Sequence, residues 1–388
     1  DVGFGPDPDG PGDVIGNFGL SHVWQGLTTA FTWTPRTWSL ALGGSASDYH
    51  RDHWLAIREN LDDREYTNTG VKRDATAFLK AEWDRKGWRV GGDFHVRYVH
   101  FLYRPSDNAD FYPQPVTWSF VNPKVSVSWD GGRPLSFFAT VGRSWREPAR
   151  SDLLAGADDL NRSNANDIVP FSQVRPEKVD DYETGVAWRF IGGSLTANAF
   201  AMEFHNEIAP IGALSLTGAP LRRNVPKSHR RGLEFDGTAM LRGSATMSGN
   251  LTLMRSRIAE YDDKNAGVVY RDIEPVLTPP VTANIRLDVP VGSSWFVAIG
   301  GRYVDPMHLA NDGNNALVVP TQTTFDGSLR WLAGNTSVRL DVYNLLNANA
   351  YSTGYTDGAS RYLFPIATRN LMLTVRRSFG GFGAPERN

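Results

Sequence analysis

Apolar and polar side chains alternate one by one along much of this chain. Near the end of the sequence, Val338, Leu340 and Val342 alternate with Arg339 and Asp341. A period of two places successive side chains on opposite faces of a β-strand, so the pattern predicts strands with one apolar and one polar face. The same alternation recurs in segments that include residues 124–130, 195–204, 233–241, 281–289, 325–331 and 371–376.

Short turns join these segments in pairs. All but the first contain glycine, which suits a tight hairpin turn, and Pro35 takes that role in the first. The turns lie at residues 34–36, 85–87, 130–133, 191–194, 242–244, 291–294 and 333–335. Longer polar loops are predicted near residues 48–70, 104–116, 147–178, 206–228, 256–274, 304–320 and 347–365. Short turns at one end and long loops at the other are typical of bacterial outer-membrane barrels.

The alternation by itself fits both a soluble β-sandwich and a membrane barrel. In a sandwich the apolar face is the core, whereas in a barrel it meets lipid and the polar face lines a wide lumen. Segments such as 195–204 and 281–289 have the length of a tilted membrane strand. A Lys or Arg on the lipid face at mid-bilayer would cost about 2–4 kcal/mol, and the central charges of these segments lie on the other face.

Tryptophan placement also favours the barrel. Eight tryptophans lie beside the short turns, where an interfacial aromatic belt is expected. They are Trp33, Trp38, Trp83, Trp88, Trp129, Trp188, Trp295 and Trp331. Strand-end aromatics in a soluble protein would explain single cases but not the whole set.

The composition narrows the function. With 40 Lys+Arg against 42 Asp+Glu and a net charge of −2, nothing points to nucleic acid. The chain has no cysteine, which excludes disulfides and thiolate metal sites. No hydrolase, zinc-protease or phosphate-loop motif is present, so we predict no catalytic residue and no cofactor. His50 and His53 are close in sequence, but solvated loop histidines are the favoured interpretation and no metal site is predicted.

The predicted fold is all-β, an antiparallel transmembrane β-barrel with about fifteen strands, occupying residues 1–388 as one domain. Residues 1–13 are predicted as a loop, 14–379 as strands and loops, and 380–388 as a C-terminal tail. A closed bacterial barrel has an even number of strands and both termini on the short-turn side. The odd count, with the N-terminal loop on the long-loop side, predicts that strands are missing from the front.

Four groups of residues resemble sequence signatures of one family. They are Arg175-Pro176-Glu177-Lys178 with Asp181-Tyr182-Glu183-Thr184-Gly185, Asn224-Val225 with Arg231-Gly232-Leu233-Glu234, Trp145-Arg146-Glu147-Pro148 with Ser151-Asp152-Leu153, and Val342-Tyr343-Asn344-Leu345-Leu346-Asn347 with Tyr351, Pro365, Arg369 and Phe379. By their order and spacing along the chain they resemble the C-terminal barrel portion of TonB-dependent outer-membrane receptors, of the siderophore-receptor type.

This resemblance implies a bacterial outer-membrane receptor that imports a scarce ligand by energy-coupled active transport, with a ferric siderophore as the favoured ligand. Barrels of the family have 22 strands around a plug, so the chain is expected to lack the plug and the first strands. The implied partners are the TonB-ExbB-ExbD energy-coupling complex, acting through the plug, and the lipid and lipopolysaccharide of the outer membrane.

Ligand contacts in such a receptor come from the upper lumen and the long loops. A cationic and aromatic vestibule suits an anionic chelate through charge steering and stacking. The candidate substrate-binding residues are Arg146, Arg222, Arg223, Tyr303, Arg361 and Tyr362. For each one the competing interpretation is a residue that holds a loop together.

Three other functions remain as alternatives. A passive porin-like channel would have an even, complete set of strands and a loop folded into the pore. An outer-membrane hydrolase would need a Ser/His constellation, and a soluble β-sandwich or propeller is supported only by a mean hydropathy of −0.35.

Overall fold

The structure is a computed structural model that describes residues 2–3, 15–58, 60–106, 113–132, 134–162, 164–215, 218–263 and 266–379. Within the predicted N-terminal loop, Val2–Gly3 form a short strand that pairs with Ile15 and Gly16. The rest of that loop, Arg133 of the third turn and the predicted tail lie outside the described residues.

Strands dominate the chain, and the helices are single turns. The strands are β1 (Val2–Gly3), β2 (Ile15–Trp33), β3 (Trp38–Ile57), β4 (Asn60–Arg85), β5 (Trp88–Arg104), β6 (Val116–Asp130), β7 (Leu135–Arg146), β8 (Glu177–Phe190), β9 (Gly193–Leu214), β10 (Pro220–Met240), β11 (Thr246–Asp263), β12 (Val268–Ile273), β13 (Val281–Val291), β14 (Trp295–Val304), β15 (Met307–His308), β16 (Val318–Val319), β17 (Gln322–Ala333), β18 (Thr336–Tyr343), β19 (Tyr351–Thr356), β20 (Arg361–Pro365) and β21 (Asn370–Arg377). The helices are α1 (Arg150–Leu153) and three 3₁₀ turns at Ala165–Asp167, Phe171–Gln173 and Arg242–Ser244. In the described part of the chain, no helix is long and apolar enough to cross a membrane.

Seventeen of the strands form one antiparallel sheet in which each wall strand pairs with the next along the chain. Strand β12 extends the pairing of β11, and the two-residue β1 pairs with the edge of β2 that faces away from β3. The other fifteen strands form the wall, which agrees with the predicted count of about fifteen. Two small hairpins, β15–β16 and β19–β20, stand apart from the wall in the long loops. Among the described residues no pairing joins β2 to β21, so these two strands are the edges of the sheet.

The two faces of the wall differ as predicted. Residues opposite each other on neighbouring strands share a face, and we call the two faces outward and inward. One outward row across β7–β11 and β13 consists of Phe137, Val186, Ala197, Phe235, Leu251 and Ala283. The adjacent inward row continues through Gly185, Asn198, Glu234, Thr252 and Thr282. The wall is therefore apolar outside and polar inside.

All seven predicted turns lie between paired strands at the same end of the sheet, and the tryptophans gather there. Trp38 lies opposite Trp83, Trp88 opposite Trp129, and Trp295 opposite Trp331. Bulky rings in register at one end of an apolar surface form the predicted interfacial belt.

The loops predicted at 48–70, 206–228 and 256–274 are wrong over most of their length. In the last of them β11 continues to Asp263 and β12 occupies Val268–Ile273. Strand β3 continues to Ile57 and β4 begins at Asn60, while β9 continues to Leu214 and β10 begins at Pro220. These hairpins extend beyond the apolar belt, where neither face meets lipid. The backbone ladder continues there while the apolar alternation stops, so the sequence pattern indicates a loop where the chain is still a strand.

The buried side chains of the described residues lie mainly at the long-loop end, where loops cover the sheet. They form three separate clusters instead of a single central core. The largest lies between the β7–β8 loop, residues 147–176, and the strands β5 and β6.

Candidate functional site

The β7–β8 loop folds back over the inward faces of β4, β5 and β6, at the mouth formed by the long loops. Its apolar side chains pack against Tyr103 and Val116, which alternate onto the inward face of the wall. The buried loop residues are Leu153, Leu154, Leu160, Ile168 and Phe171. Each fully buried side chain of this size stabilises the packing by about 1.5–3 kcal/mol. The loop is thus a packed part of the fold that lies inside the mouth.

A buried carboxylate fixes the loop to the wall. Asp159 is 6% exposed, and it accepts hydrogen bonds from Asn68 Nδ2 at 3.1 Å, Tyr103 OH at 3.1 Å and Ser106 Oγ at 3.0 Å. Asn68 also donates to the carbonyl oxygen of Asp158 at 2.9 Å. Since a buried acceptor must be satisfied, these bonds define where the loop sits.

A second carboxylate fixes the start of the loop. Glu147 has a side chain that is 9% exposed, and it accepts from Lys72 Nζ at 2.6 Å and from two nitrogens of Arg97 at 2.8 Å. Arg97 also pairs with Asp74 on the inward face of β4. Burial opposes ionisation of Glu147, but the hydrogen bonds from Arg97 and Lys72 outweigh it and lower the pKa of Glu147 to about 2.

Acid is expected to loosen the loop. Because the pKa of Glu147 is lower in the folded state than its usual 4.5, its contribution is complete above about pH 4.5 and is lost as pH falls toward about 2. A shift of this size corresponds to about 3 kcal/mol. Pepsin works in this range, so cleavage within residues 147–176 should increase steeply as pH is lowered. Glu147→Gln should be cleaved at a rate that varies much less with pH; an unchanged pH profile would contradict this role.

A cavity of 210 Å³, which we call the mouth pocket, lies between the first residues of the loop and the wall. It is lined by Tyr49, Arg51, Gly70, Lys72, Phe101, Trp118, Glu147, Pro148, Ala149 and Arg150. Two of its three cationic side chains have acidic neighbours: Lys72 pairs with Glu147, which also pairs with Arg97, and Arg150 lies 3.4 Å from Asp158. Arg51 is the third cation of the pocket, and it has no ion pair with the described residues that line the pocket. The pocket is therefore cationic, with aromatic rings on its walls.

Arg51 gives the mouth pocket an unused donor. Its Nη2 atom is buried and has no hydrogen-bond partner among the described residues, and the same is true of His53 Nδ1 and Tyr66 OH. Arg51 and His53 lie on the inward face of β3, and Arg51 is directly opposite Gly70, which leaves space beside it. Buried polar atoms without partners mark a place where a water, an ion or a ligand group belongs. A guanidinium recognises carboxylates and other planar anions best.

Three of the sequence-predicted residues belong to β7 and β10 and already contact protein. Arg146 pairs with Glu177 at 3.0 Å, Arg222 lies 3.9 Å from Asp152, and Arg223 donates to the carbonyl oxygen of Asp262 at 3.3 Å.

The other three predicted residues lie further along the chain. Tyr303 donates to Asp305 at 2.5 Å, Arg361 to the carbonyl oxygen of Val318 at 3.0 Å, and Tyr362 to Asp357 at 2.9 Å. The last two belong to the β19–β20 hairpin, and Tyr303 belongs to β14. None of the six lines the mouth pocket.

Residues of the sequence signatures hold loops in place. Asn224 accepts from Arg175 N and donates to Arg175 O, both at 2.9 Å. Glu177 accepts from Ile208 N at 2.8 Å as well as from Arg146. The motifs therefore indicate the fold rather than the ligand. The pocket residues Tyr49 and Arg51 were missed because a loop was predicted across them.

The two histidines considered as a metal pair point apart. His53 shares the inward face of β3 with Arg51, whereas His50 lies on the outward face, near Asp52 at 3.7 Å. Within the described ranges, no three His, Cys, Asp or Glu side chains are grouped closely enough to hold a metal ion.

Comparisons with known proteins agree with this architecture. The family model described as "TonB dependent receptor-like, beta-barrel" matches residues 3–345. A comparison with curated protein sequences gives no match.

Several solved structures have a similar fold. "Copper transporter OprC" matches with a TM-score of 0.72 and 15% identity over 96% of this chain and 59% of that chain. The ferric yersiniabactin uptake receptor FyuA from Yersinia pestis matches with a TM-score of 0.67 and 16% identity over 95% of this chain and 55% of that one. The siderophore receptor PiuA from Acinetobacter baumannii matches with a TM-score of 0.67 and 15% identity over 93% of this chain and 56% of that chain. The chain thus spans under two thirds of the length of these proteins.

Proposed function

Because the chain belongs to the TonB-dependent receptor β-barrel family and lies in the bacterial outer membrane, we propose that it forms most of the wall of a receptor that imports a ferric siderophore by energy-coupled transport. The TonB-ExbB-ExbD complex is the proposed energy source, acting through a plug inside the barrel. No covalent chemistry is part of this function, which consists of binding at the mouth followed by movement through the lumen.

The unused donor of Arg51 in the cationic mouth pocket is the observation that supports an anionic ligand. Arg51, Lys72 and Arg150 surround a space lined by the rings of Tyr49, Phe101 and Trp118. A ferric siderophore combines negative charge with flat ligand groups, so it can accept from the guanidinium and stack on the rings. A cavity of 210 Å³ holds one arm of such a chelate, and the rest extends into the mouth.

The six residues predicted from the sequence remain proposed ligand contacts, and none of them lines this pocket. They are Arg146, Arg222, Arg223, Tyr303, Arg361 and Tyr362. Each already contacts a loop or strand, so substituting one of them tests loop geometry as well as ligand binding.

A passive porin-like channel is the second candidate function. One observation favours it, because the β7–β8 loop lies inside the mouth as a constriction loop would. The family assignment favours the importer. Conductance in planar bilayers separates them: a porin passes small ions without ligand or energy source, whereas the complete receptor should not.

Binding of ferric chelates to the purified chain in detergent tests the proposed ligand class. Ferric citrate, a ferric tricatecholate, cobalamin and a neutral oligosaccharide can be compared by quenching of tryptophan fluorescence. We expect a ferric chelate to bind and Arg51→Gln to weaken it about 10-fold or more, since a hydrogen bond to a charged group contributes about 1.5–3 kcal/mol.

Arg73→Gln is the matched control for Arg51→Gln. Arg73 lies on the outward face of β4, where it pairs with Asp48 at 3.0 Å, so its loss should leave chelate affinity unchanged. Equal affinity for all three proteins, or preference for the neutral oligosaccharide, would exclude the mouth pocket as an anionic ligand site.

A further inference from the structure

Four buried polar atoms without hydrogen-bond partners among the described residues lie on neighbouring positions behind the mouth pocket. They are Arg51 Nη2, His53 Nδ1, Tyr66 OH and Asn68 Oδ1. His53 is directly opposite Asn68 in the register of β3 and β4, and Arg51 and Tyr66 each precede one of them by two positions. Positions two apart on a strand share a face, so all four side chains belong to the inward face. Of the four residues Arg51 alone lines the mouth pocket, and we call the other three the deep subsite.

The amide of Asn68 determines part of what the deep subsite requires. Asn68 is 1% exposed, and its Nδ2 atom donates to the carbonyl oxygen of Asp158 at 2.9 Å and to Asp159 Oδ1 at 3.1 Å. Because both of these partners are acceptors, the nitrogen and the oxygen of the amide cannot be exchanged. Asn68 Oδ1 is therefore a buried acceptor that needs a donor from outside the loop.

The two rings of the deep subsite add a second acceptor and a hydroxyl. Burial and the nearby Arg150 lower the pKa of His53, so its ring is neutral at pH 7. The ring hydrogen-bonds to the backbone of Asp158, and when its proton serves that bond, Nδ1 is an acceptor. The ring centroid of Tyr66 lies 5.6 Å from that of His53, and its hydroxyl can donate or accept. A fixed donor, Arg51 Nη2, stands at the entrance.

A carboxylate does not fit this arrangement. It can only accept hydrogen bonds, so it would satisfy Arg51 while its oxygens faced the acceptors of Asn68 and His53. An amide group carries an N–H beside a carbonyl oxygen and fits both sides. Its oxygen can accept from Arg51 or Tyr66, and its N–H can donate to Asn68 Oδ1 or His53 Nδ1. It also carries no charge, so its burial costs less than that of an ion.

We propose that the deep subsite binds an amide group on the arm of a ferric chelate that enters the mouth pocket. This inference rests on the proposed function and specifies which chelates the receptor selects, namely those in which an amide follows the iron-binding group. Because Arg51 stands between the two parts, the anionic iron centre stays in the mouth pocket while the amide lies under the β7–β8 loop. The cationic pocket attracts anionic chelates, and the deep subsite selects among chelates of equal charge.

Two ferric tricatecholates of equal charge test the deep subsite. In one the catechols are attached through amides that carry N–H groups, and in the other the same amide nitrogens are methylated. Tryptophan fluorescence of the purified chain in detergent reports binding. We expect the methylated chelate to bind about 10-fold more weakly, because the buried acceptors then lack a donor. Equal affinity would overturn the amide subsite and leave the proposed function standing, whereas binding of neither chelate would overturn both.

Tyr66→Phe removes a hydroxyl that has no partner among the described residues. We expect this variant to bind the N–H chelate about 5-fold more weakly. Without chelate, hydrogen-exchange protection of the β7–β8 loop should be unchanged, which separates a ligand contact from a structural role. Tyr98→Phe is the matched control, because Tyr98 lies on the outward face of β5 and is 47% exposed. It should bind both chelates as the unchanged chain does.

His53→Phe provides a second variant that keeps a ring between Phe18 and Tyr66 but removes the acceptor. Its preference for the N–H chelate over the methylated one should fall from about 10-fold to about 3-fold, since one of the two acceptors is gone. If both variants keep the affinity and the preference of the unchanged chain, water satisfies these atoms, and the proposal is overturned.

Discussion

Leu42→Arg is expected to destabilise the barrel by about 2–4 kcal/mol, the cost of an arginine on the lipid face near mid-bilayer. Leu42 lies on the outward face of β3, 60% exposed, between Trp38 at the turn end and Asp48 beyond the apolar belt. Its register partner on β4 is Leu79, which is also outward and exposed. In a membrane the arginine would have no partner for its charge, so it must leave the hydrocarbon at the expense of local packing.

Ser45→Arg is the matched control in the same strand. Ser45 lies three residues from Leu42 and faces inward, opposite Thr28 and Thr76, so its arginine would enter the aqueous lumen. We expect a change below about 0.5 kcal/mol, as for a surface substitution. The free energy of unfolding in urea, measured with both variants in lipid vesicles, gives the comparison. Equal destabilisation by the two variants would mean that the faces are not lipid and water.

Asp159→Leu is expected to detach the β7–β8 loop from the mouth. The substitution leaves the donors of Asn68, Tyr103 and Ser106 without their acceptor. Since each buried donor left unpaired costs about 1–3 kcal/mol, we expect the loop to lose about 3 kcal/mol of local stability. That loss corresponds to about a 100-fold decrease in hydrogen-exchange protection of the loop amides.

Asp158→Leu provides the control from the neighbouring position. Its carboxylate makes a 3.4 Å contact with Arg150 and is 24% exposed, while the bond from Asn68 goes to its backbone carbonyl and survives the substitution. We expect a decrease in protection below about 5-fold, since a partly exposed ion pair contributes at most about 1 kcal/mol. If both variants exchange alike, Asp159 is not what holds the loop.

The wall of the barrel could be predicted from the sequence because a strand with one face in lipid and one in water must alternate apolar and polar residues. Val338, Leu340 and Val342 could be assigned to one face from the residue pattern alone, and every short turn was located by its glycine or proline. The alternation fails beyond the apolar belt, where β3 and β4 extend through a region predicted as a loop. There polar and apolar residues no longer alternate, while backbone hydrogen bonds and cross-strand side-chain contacts such as Thr69 with Asp52 continue the hairpin.

The mouth pocket could not be predicted for a related reason. Its residues come from β3, β4, β5, β6 and the β7–β8 loop, and they meet only because that loop folds inward. Tyr49, Arg51 and His53 do alternate inward on β3, and this was the available signal. The choice of Arg146 and the other loop cations followed charge and loop position, which cannot reveal that each already has a protein partner.

Accessibility along β4 tests the two-faced barrel most directly. The chain has no cysteine, so single cysteines can be placed at Ala77, Phe78, Leu79 and Lys80 without background and spin-labelled in lipid vesicles. The outward positions 77 and 79 should collide with oxygen dissolved in the bilayer, and the inward positions 78 and 80 with a water-soluble nickel complex. Equal access of the nickel complex to all four positions, or a chain that is a compact monomer in buffer without detergent, would contradict a barrel with one lipid face and one water face.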